Sequence, residues 1–210
     1  PMAGYAIEIR DDLGRCCPDR TIGRIFIKAP SLMGGYFREP ELTAKVMAAD
    51  GWLNSGDLGY MIDGSLVVTG RSKDLIIVGG RNIWPQDLEW AVESLDGVRS
   101  GDSAAFAVGD DEDCERAVIV AECRVAQSDQ RAALRRAIRA EVHRVAGIDC
   151  EIVLAAPRSL HFTTSGKLSR AAVKSAFMHG DILDLDDESN TAEATKCTNE
   201  GASSRLAEAA

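Results

Sequence analysis

The sequence predicts an α+β protein in which a β-rich stretch is followed by a small unit of alternating strands and helices around a short mixed sheet. Three observations carry this. Apolar residues alternate with polar ones between turn residues through positions 5–69. Beyond Arg71, short apolar runs alternate with stretches whose apolar residues recur at helical spacing. From about residue 180 the chain is rich in Asp, Glu, Ser, Thr and Ala, too poor in apolar surface to offset the entropy of ordering it.

In the first stretch, residues 5–9, 23–28 and 65–69 read as strands, with Asp11-Asp12-Leu13-Gly14 and Asp63-Gly64 as turns. Residues 40–47 form a helical insert with Leu42, Val46 and Met47 apolar. This meander cannot close a large core alone. In the second stretch, 75–78, 103–108, 117–123 and 151–155 read as strands. Residues 85–95 place Leu88, Ala91, Val92 and Leu95 on one helical face, with Pro85 in the first turn and Gly97 beyond the end. Ser128 is placed to cap a long helix whose buried stripe is Leu134, Ile138, Val142 and Val145, and which Gly147 ends. Ser169 is placed to cap a last helix burying Val173, Ala176 and Phe177. The expected organisation is 1–72, 73–179 and an acidic disordered tail, 180–210.

Composition narrows the function. The 45% apolar content suffices for a core, and no run approaches the ~20 apolar residues that would cross a bilayer. The net charge is −9, of which residues 180–210, with eight acids and two bases, supply −6. Nucleic acid is disfavoured as a partner. The cysteines at 16, 17, 114, 123, 150 and 197 form no C-x-x-C, so reduced thiols in a cytoplasmic protein are expected, with no metal site.

Three polar, glycine-bearing segments are not needed to build a core. Gly51-Trp52-Leu53-Asn54-Ser55-Gly56-Asp57-Leu58-Gly59 sets an aspartate between glycines. On a tight turn its carboxylate can accept two hydrogen bonds from a vicinal diol; on this stretch alone a solvated turn residue is the plainer reading. Gly70-Arg71-Ser72-Lys73-Asp74, an apolar strand and Gly79-Gly80-Arg81-Asn82-Ile83 surround that strand with charge. Arg71 has a fork of donors suited to nucleotide oxygens, and the paired glycines admit close approach; a hairpin with a charged rim is the plainer reading. Phe162-Thr163-Thr164-Ser165-Gly166-Lys167-Leu168-Ser169-Arg170 is a hydroxyl-rich, flexible loop presenting one ammonium. It is not a P-loop, because position 161 is His where that motif has glycine.

Taken in order, and with Trp84-Pro85-Gln86-Asp87-Leu88-Glu89 continuing the second, the three segments resemble the carboxyl-terminal part of the adenylate-forming acyl-CoA synthetase superfamily of AMP-binding enzymes. The resemblance covers residues 1–178 and leans toward fatty-acyl-AMP ligases and long-chain acyl-CoA synthetases. It implies a ligase that joins a fatty acid to AMP from ATP, with Mg²⁺, and passes the acyl group to the thiol of CoA or of a carrier-protein phosphopantetheine. An acyl carrier protein or a polyketide or nonribosomal synthetase would be the partner. By the same resemblance Asp57 binds the ribose hydroxyls, Arg71 contacts the nucleotide and Lys167 is catalytic in adenylate formation. Lys73 is the hinge, and Gly79 and Gly80 line the approach of the thiol. The upstream phosphate loop, the adenine and Mg²⁺ residues and the acyl pocket are not in this sequence, so the chain reads as a fragment expected to be inactive alone. Two alternatives are a long-chain fatty acid–CoA ligase proper and a non-catalytic module that binds an acyl carrier protein.

Overall fold

A computed structural model of the chain describes residues 3–109 and 116–187. It divides into two compact units, Pro1–Leu75 and Ile76–Ala210. Mixed helices and sheets confirm the α+β class.

The first unit is an antiparallel sheet in the order β1-β2-β3-β4: Ala6–Arg10, Gly23–Lys28, Leu53–Ile62 and Ser65–Arg71. The helix α1, Pro40–Val46, sits in the β2–β3 connection with no buried residue. Ile9 and Ile25 are the apolar side chains fully buried among the described residues of this unit. Such a thin core fits the expectation that the meander encloses little by itself.

The second unit begins with a two-stranded hairpin, β5 (Ile76–Val78) and β6 (Arg81–Ile83), and then α2 (Pro85–Glu93). A mixed sheet of order β7-β8-β9 follows, from Ser103–Val108, Arg116–Glu122 and Cys150–Ala155. β7 pairs antiparallel with β8; β8 pairs parallel with β9, and α3 (Ser128–Ala146) makes the crossover that parallel pairing needs. The helix α4 is Arg170–His179.

Strand alternation assigns the two faces of this sheet. Ala105, Ala107, Ala117, Ile119, Ala121, Ile152 and Leu154 pack with Leu88 and Val92 of α2 and Leu134, Ile138 and Val142 of α3. The intervening Ala104, Phe106, Val108, Val118, Val120, Val153 and Ala155 pack with Val173 and Ala176 of α4. Both faces are covered, so these strands read as continuous apolar runs rather than alternating ones.

The capping expectations divide. Ser169 caps α4, its hydroxyl accepting from the Ala172 N–H at 3.4 Å, and Gly147 ends α3 at φ 65°. Ser128 is instead the first helical residue of α3, and the cap position is Gln127 with no side-chain bond. Val145 is exposed, because the chain turns at Gly147 and Ile148 enters the core in its place.

Packing also extends past the point where disorder was expected to begin. Ile182 is buried on the α4 face, and the Leu185 N–H donates to the Leu154 carbonyl at 2.8 Å. Asp186 accepts from Arg131 at 2.6 Å, and Asp184 and Asp186 both pair with Arg135. Asp184 and Asp186 thus answer arginines on α3, which a count of net charge does not reveal. The remainder of the expected tail, 188–210, lies outside the described residues.

The Arg131 hydrogen bond, reinforced by Arg135, holds the Asp186 carboxyl below its ordinary range. A depressed folded value means the stabilisation is complete above the pKa of an unfolded aspartate, ~3.9, and is lost as pH falls through the folded value. Amide protection at Leu185 is therefore expected to survive from neutral pH to about pH 4 and to decline below it. Hydrogen exchange as a function of pH measures this directly.

Candidate functional site

The first glycine-rich segment is a strand with a bulge, not the tight turn expected from its composition. β2 and β3 pair Arg24 with Leu58 and Phe26 with Asn54, so Ser55, Gly56 and Asp57 all oppose Ile25. Gly56 takes φ 77°, open to glycine and costly to others. Neighbouring polar side chains satisfy the displaced backbone. Asn54 Oδ1 accepts from the Gly56 N–H at 3.0 Å and Ser55 Oγ from the Asp57 N–H at 3.1 Å, while the Ser55 hydroxyl donates to the Ile25 carbonyl. Bulges re-aim side chains, and the side chain at this one is Asp57.

Asp57 faces Arg71 across the β3–β4 ladder. Arg71 Nε lies 3.3 Å from Asp57 Oδ1, with the Arg71 side chain 72% exposed and that of Asp57 32% exposed. The structure therefore brings together the two residues expected to contact the nucleotide. An exposed pair of this kind contributes little stability, which leaves both groups able to exchange partners with a ligand. A carboxylate acceptor beside a guanidinium fork fits a ribose diol and an adjacent phosphate in donor and acceptor type.

Two further residues of the segment turned out to be structural. Trp52 lies beneath Arg10 at 4.9 Å and Lys28 at 5.9 Å, with Arg10 also 4.5 Å from the Phe26 ring. Gly59 sits where a Cβ would lie 2.3 Å from the Val67 carbonyl oxygen and 3.0 Å from Ile25 Cδ1. Since backbone cannot yield as a side chain does, Gly59→Ala is expected to cost about 1–3 kcal/mol. Urea unfolding compared with Gly34→Ala, where no atom lies within 4 Å of an added Cβ and φ is likewise not positive, separates this crowding from the general effect of substituting glycine.

Lys73 is exposed in a single 3₁₀ turn, Ser72–Asp74, just before the boundary between the compact units at Leu75 and Ile76. Gly79 and Gly80 are the two-residue turn of the β5–β6 hairpin, between paired Val78 and Arg81. Their φ values, 57° and 72°, are those that tight hairpins matching strand twist require. Nothing lies within 4 Å of a Cβ at either, so dihedral angle rather than crowding selects glycine there. Arg81 anchors the hairpin by donating to the Ala146 carbonyl at 3.0 Å, placing a cation at the carbonyl end of α3.

The Lys167 segment is more ordered than its composition suggested. Phe162 bridges Leu168, the Thr163 N–H donates to the Lys167 carbonyl at 2.8 Å, and the Gly166 N–H donates to the Thr163 carbonyl at 2.9 Å. Thr163 Oγ1 accepts from the Lys167 N–H at 3.1 Å and lies 3.0 Å from Ser165 Oγ. The hydroxyls thus brace a small hairpin that carries Lys167 exposed to solvent. At its base the Ser169 N–H donates to the His161 carbonyl.

Sequence reasoning missed two buried carboxylates next to this hairpin. Glu89, 6% exposed, receives both arms of the Arg170 guanidinium, at 2.7 and 2.6 Å, and the Ala105 N–H at 3.0 Å. Glu122, 3% exposed, accepts from the Leu160 N–H at 3.0 Å. Glu89 closes the second sequence segment and Arg170 the third, so their common position at segment ends was the available signal.

Cysteines offer little chemistry here. Burial pushes the Cys150 thiol up to about 11, and Cys123 is buried; Cys114 and Cys197 lie outside the described residues. Among the described residues no cluster of three His, Cys, Asp or Glu could hold a metal ion. No helix among them is long and apolar enough to cross a membrane.

Fold and sequence together relate the chain to one part of larger proteins named as acyl-CoA synthetases and fatty acyl-adenylate ligases. A protein named as an acyl-CoA synthetase in Caulobacter vibrioides is 48% identical over 180 residues, covering 85% of this chain and 31% of its own length. A solved structure from work on fatty acyl-adenylate ligases of E. coli and L. pneumophila is 41% identical with a TM-score of 0.76, covering 84% of this chain and 31% of that one. The structure of McyG A-PCP complexed with phenylalanyl-adenylate is 33% identical with a TM-score of 0.76, over 86% and 28%. No protein-family model matches the chain. By these relationships the chain is a homologue of the acyl-CoA synthetase and fatty-acyl-AMP ligase family of AMP-binding enzymes over about 85% of its length. It spans about a third of the length of those relatives.

Proposed function

We propose that the chain is the carboxyl-terminal working part of an ATP-dependent ligase that activates a fatty acid as its acyl-adenylate and passes it to a thiol. The observation that carries this reading is Lys167, presented to solvent on a braced hairpin within a chain 48% identical to a protein named as an acyl-CoA synthetase. In the first half-reaction a carboxylate oxygen attacks the α-phosphorus of ATP and pyrophosphate leaves. Negative charge builds on oxygens at the reacting centre, where the Lys167 ammonium stabilises it. Asp57 accepts hydrogen bonds from the ribose hydroxyls, and Arg71 holds the nucleotide from the neighbouring strand. Mg²⁺ would neutralise phosphate charge; the described residues contain no cluster to hold it, and none of these roles depends on them doing so.

In the second half-reaction the thiol sulfur attacks the acyl carbonyl and AMP leaves. The Gly79–Gly80 turn, without side chains, leaves room for a pantetheine arm. Lys73 is assigned as the pivot between the two arrangements; the boundary between compact units two residues beyond it supports this. Relatives that bear on the acceptor point two ways, toward CoA through the Caulobacter protein and toward a carrier domain through McyG A-PCP.

The test is to incubate the complete ligase that carries this chain with ATP, Mg²⁺ and a series of fatty acids while following pyrophosphate. CoA or a phosphopantetheine-bearing carrier protein is then supplied. Acid-dependent pyrophosphate followed by thioester on one acceptor is the expected result. Absence of pyrophosphate with every fatty acid would overturn the reading.

A further inference from the structure

We propose that Glu89 is a positioning residue for Lys167, acting through Arg170 to fix the orientation of the hairpin that carries the lysine. The inference rests on the reading of Lys167 given above. Arg170 is the first residue of α4 and directly follows Ser169, whose N–H closes the base of the hairpin on His161. Its guanidinium meets Glu89 in a two-point contact, both side chains being largely buried, at 19% and 7% exposure. Glu89 is in turn fixed on α2 and holds the Ala105 N–H at the free edge of β7. At the other end of the segment, buried Glu122 holds the Leu160 N–H. The hairpin is therefore anchored at both entry and exit by carboxylates belonging to other elements.

Stability alone does not account for this pair. Burying two charges costs desolvation that their attraction roughly offsets, so apolar side chains of similar size would serve packing as well or better. α4 is already docked through Val173 and Ala176. What two parallel hydrogen bonds between planar groups add is direction. That direction is imparted three residues from Lys167, where a small misplacement of the ammonium lowers the rate of the step it serves.

Glu89→Gln and Arg170→Lys in the complete ligase test this. Arg170→Lys keeps the charge and loses the fork, and it serves where Glu89→Gln compromises folding. Exchange of the Gly166 and Lys167 amides, which donate to Thr163, is expected to rise about tenfold, with amides of β8 and β9 unchanged. Adenylate formation is expected to fall about tenfold in kcat with KM for the acid nearly constant, while transfer of supplied acyl-adenylate to the thiol is retained. Arg170→Lys should lie between wild type and Arg170→Met. Equal losses in both half-reactions, or unaltered exchange at Gly166 and Lys167, would overturn the proposal. A wild-type ligase that makes no adenylate would instead remove the functional reading, with the exchange measurement still deciding whether Glu89 orders the hairpin.

Discussion

Lys167→Ala in the complete ligase is expected to slow acyl-adenylate formation by about 10²–10³-fold, the usual cost of deleting one donor aimed at developing negative charge. Little loss of stability should accompany it. The Lys167 side chain is exposed, and the hydrogen bonds that shape its hairpin come from its backbone and from Thr163 and Ser165. The melting temperature and the backbone of the hairpin should therefore be retained. Transfer of supplied acyl-adenylate to the thiol should also persist, because the proposed roles give Lys167 to the first half-reaction and the Gly79–Gly80 turn to the second. Single-turnover assays of each half-reaction separate the outcomes, and equal losses in both would refute the assigned role.

Ile138→Ala is expected to destabilise the second unit by about 2–5 kcal/mol, the range for deleting a large aliphatic side chain from a packed core. Ile138 is fully buried on α3 in the cluster that joins α2, α3 and one face of the β7-β8-β9 sheet. Its δ, γ1 and γ2 carbons fill space bounded by strand and helix side chains, which relax only in part when a cavity opens. The same truncation at Val145, 39% exposed on the same helix, should change stability by no more than about 0.5 kcal/mol. Urea denaturation of the two variants, with unchanged m-values, would report the difference as a shift in midpoint. Comparable losses at both positions would mean that the helix packs differently from the structure described.

Ile138 and Val145 also mark where periodicity stops being informative. Both belong to an apolar stripe at helical spacing, and the spacing alone ranks them equally. The helix ends a residue after Val145, and the turn at Gly147 delivers Ile148 to the core. Which residue fills the last layer depends on where the chain leaves the helix, a tertiary matter. The strands of the second unit were easier to read, because continuous apolar runs such as Ser103–Val108 follow from burial on both faces. The Gly51–Gly59 segment was harder. Its glycines and polar residues resemble a turn, yet a strand with a bulge uses the same residue types for the same reason, a positive φ and unpaired backbone groups that need partners.

Asp57, Arg71, Gly79, Gly80 and Lys167 were singled out from residue type, order along the chain and resemblance, and the residues that brace their backbone were not. Glu89 and Arg170 are 81 positions apart, and no local pattern couples them. The arginines of α3 that bind Asp184 and Asp186 are similarly distant, and they extend order into a stretch whose composition argues for none.

Sequence by itself determined the α+β class, the principal helices and strands of the second unit apart from Arg81–Ile83, and the family resemblance, because apolar spacing, turn residues and short motifs are local properties. Only the tertiary structure decided that Asp57 is turned toward Arg71 by a bulge, that two buried carboxylates hold the hairpin of Lys167, and that acids after α4 dock rather than repel. Each of these depends on charges and backbone groups meeting across long separations in sequence, where desolvation and geometry rather than composition set the outcome.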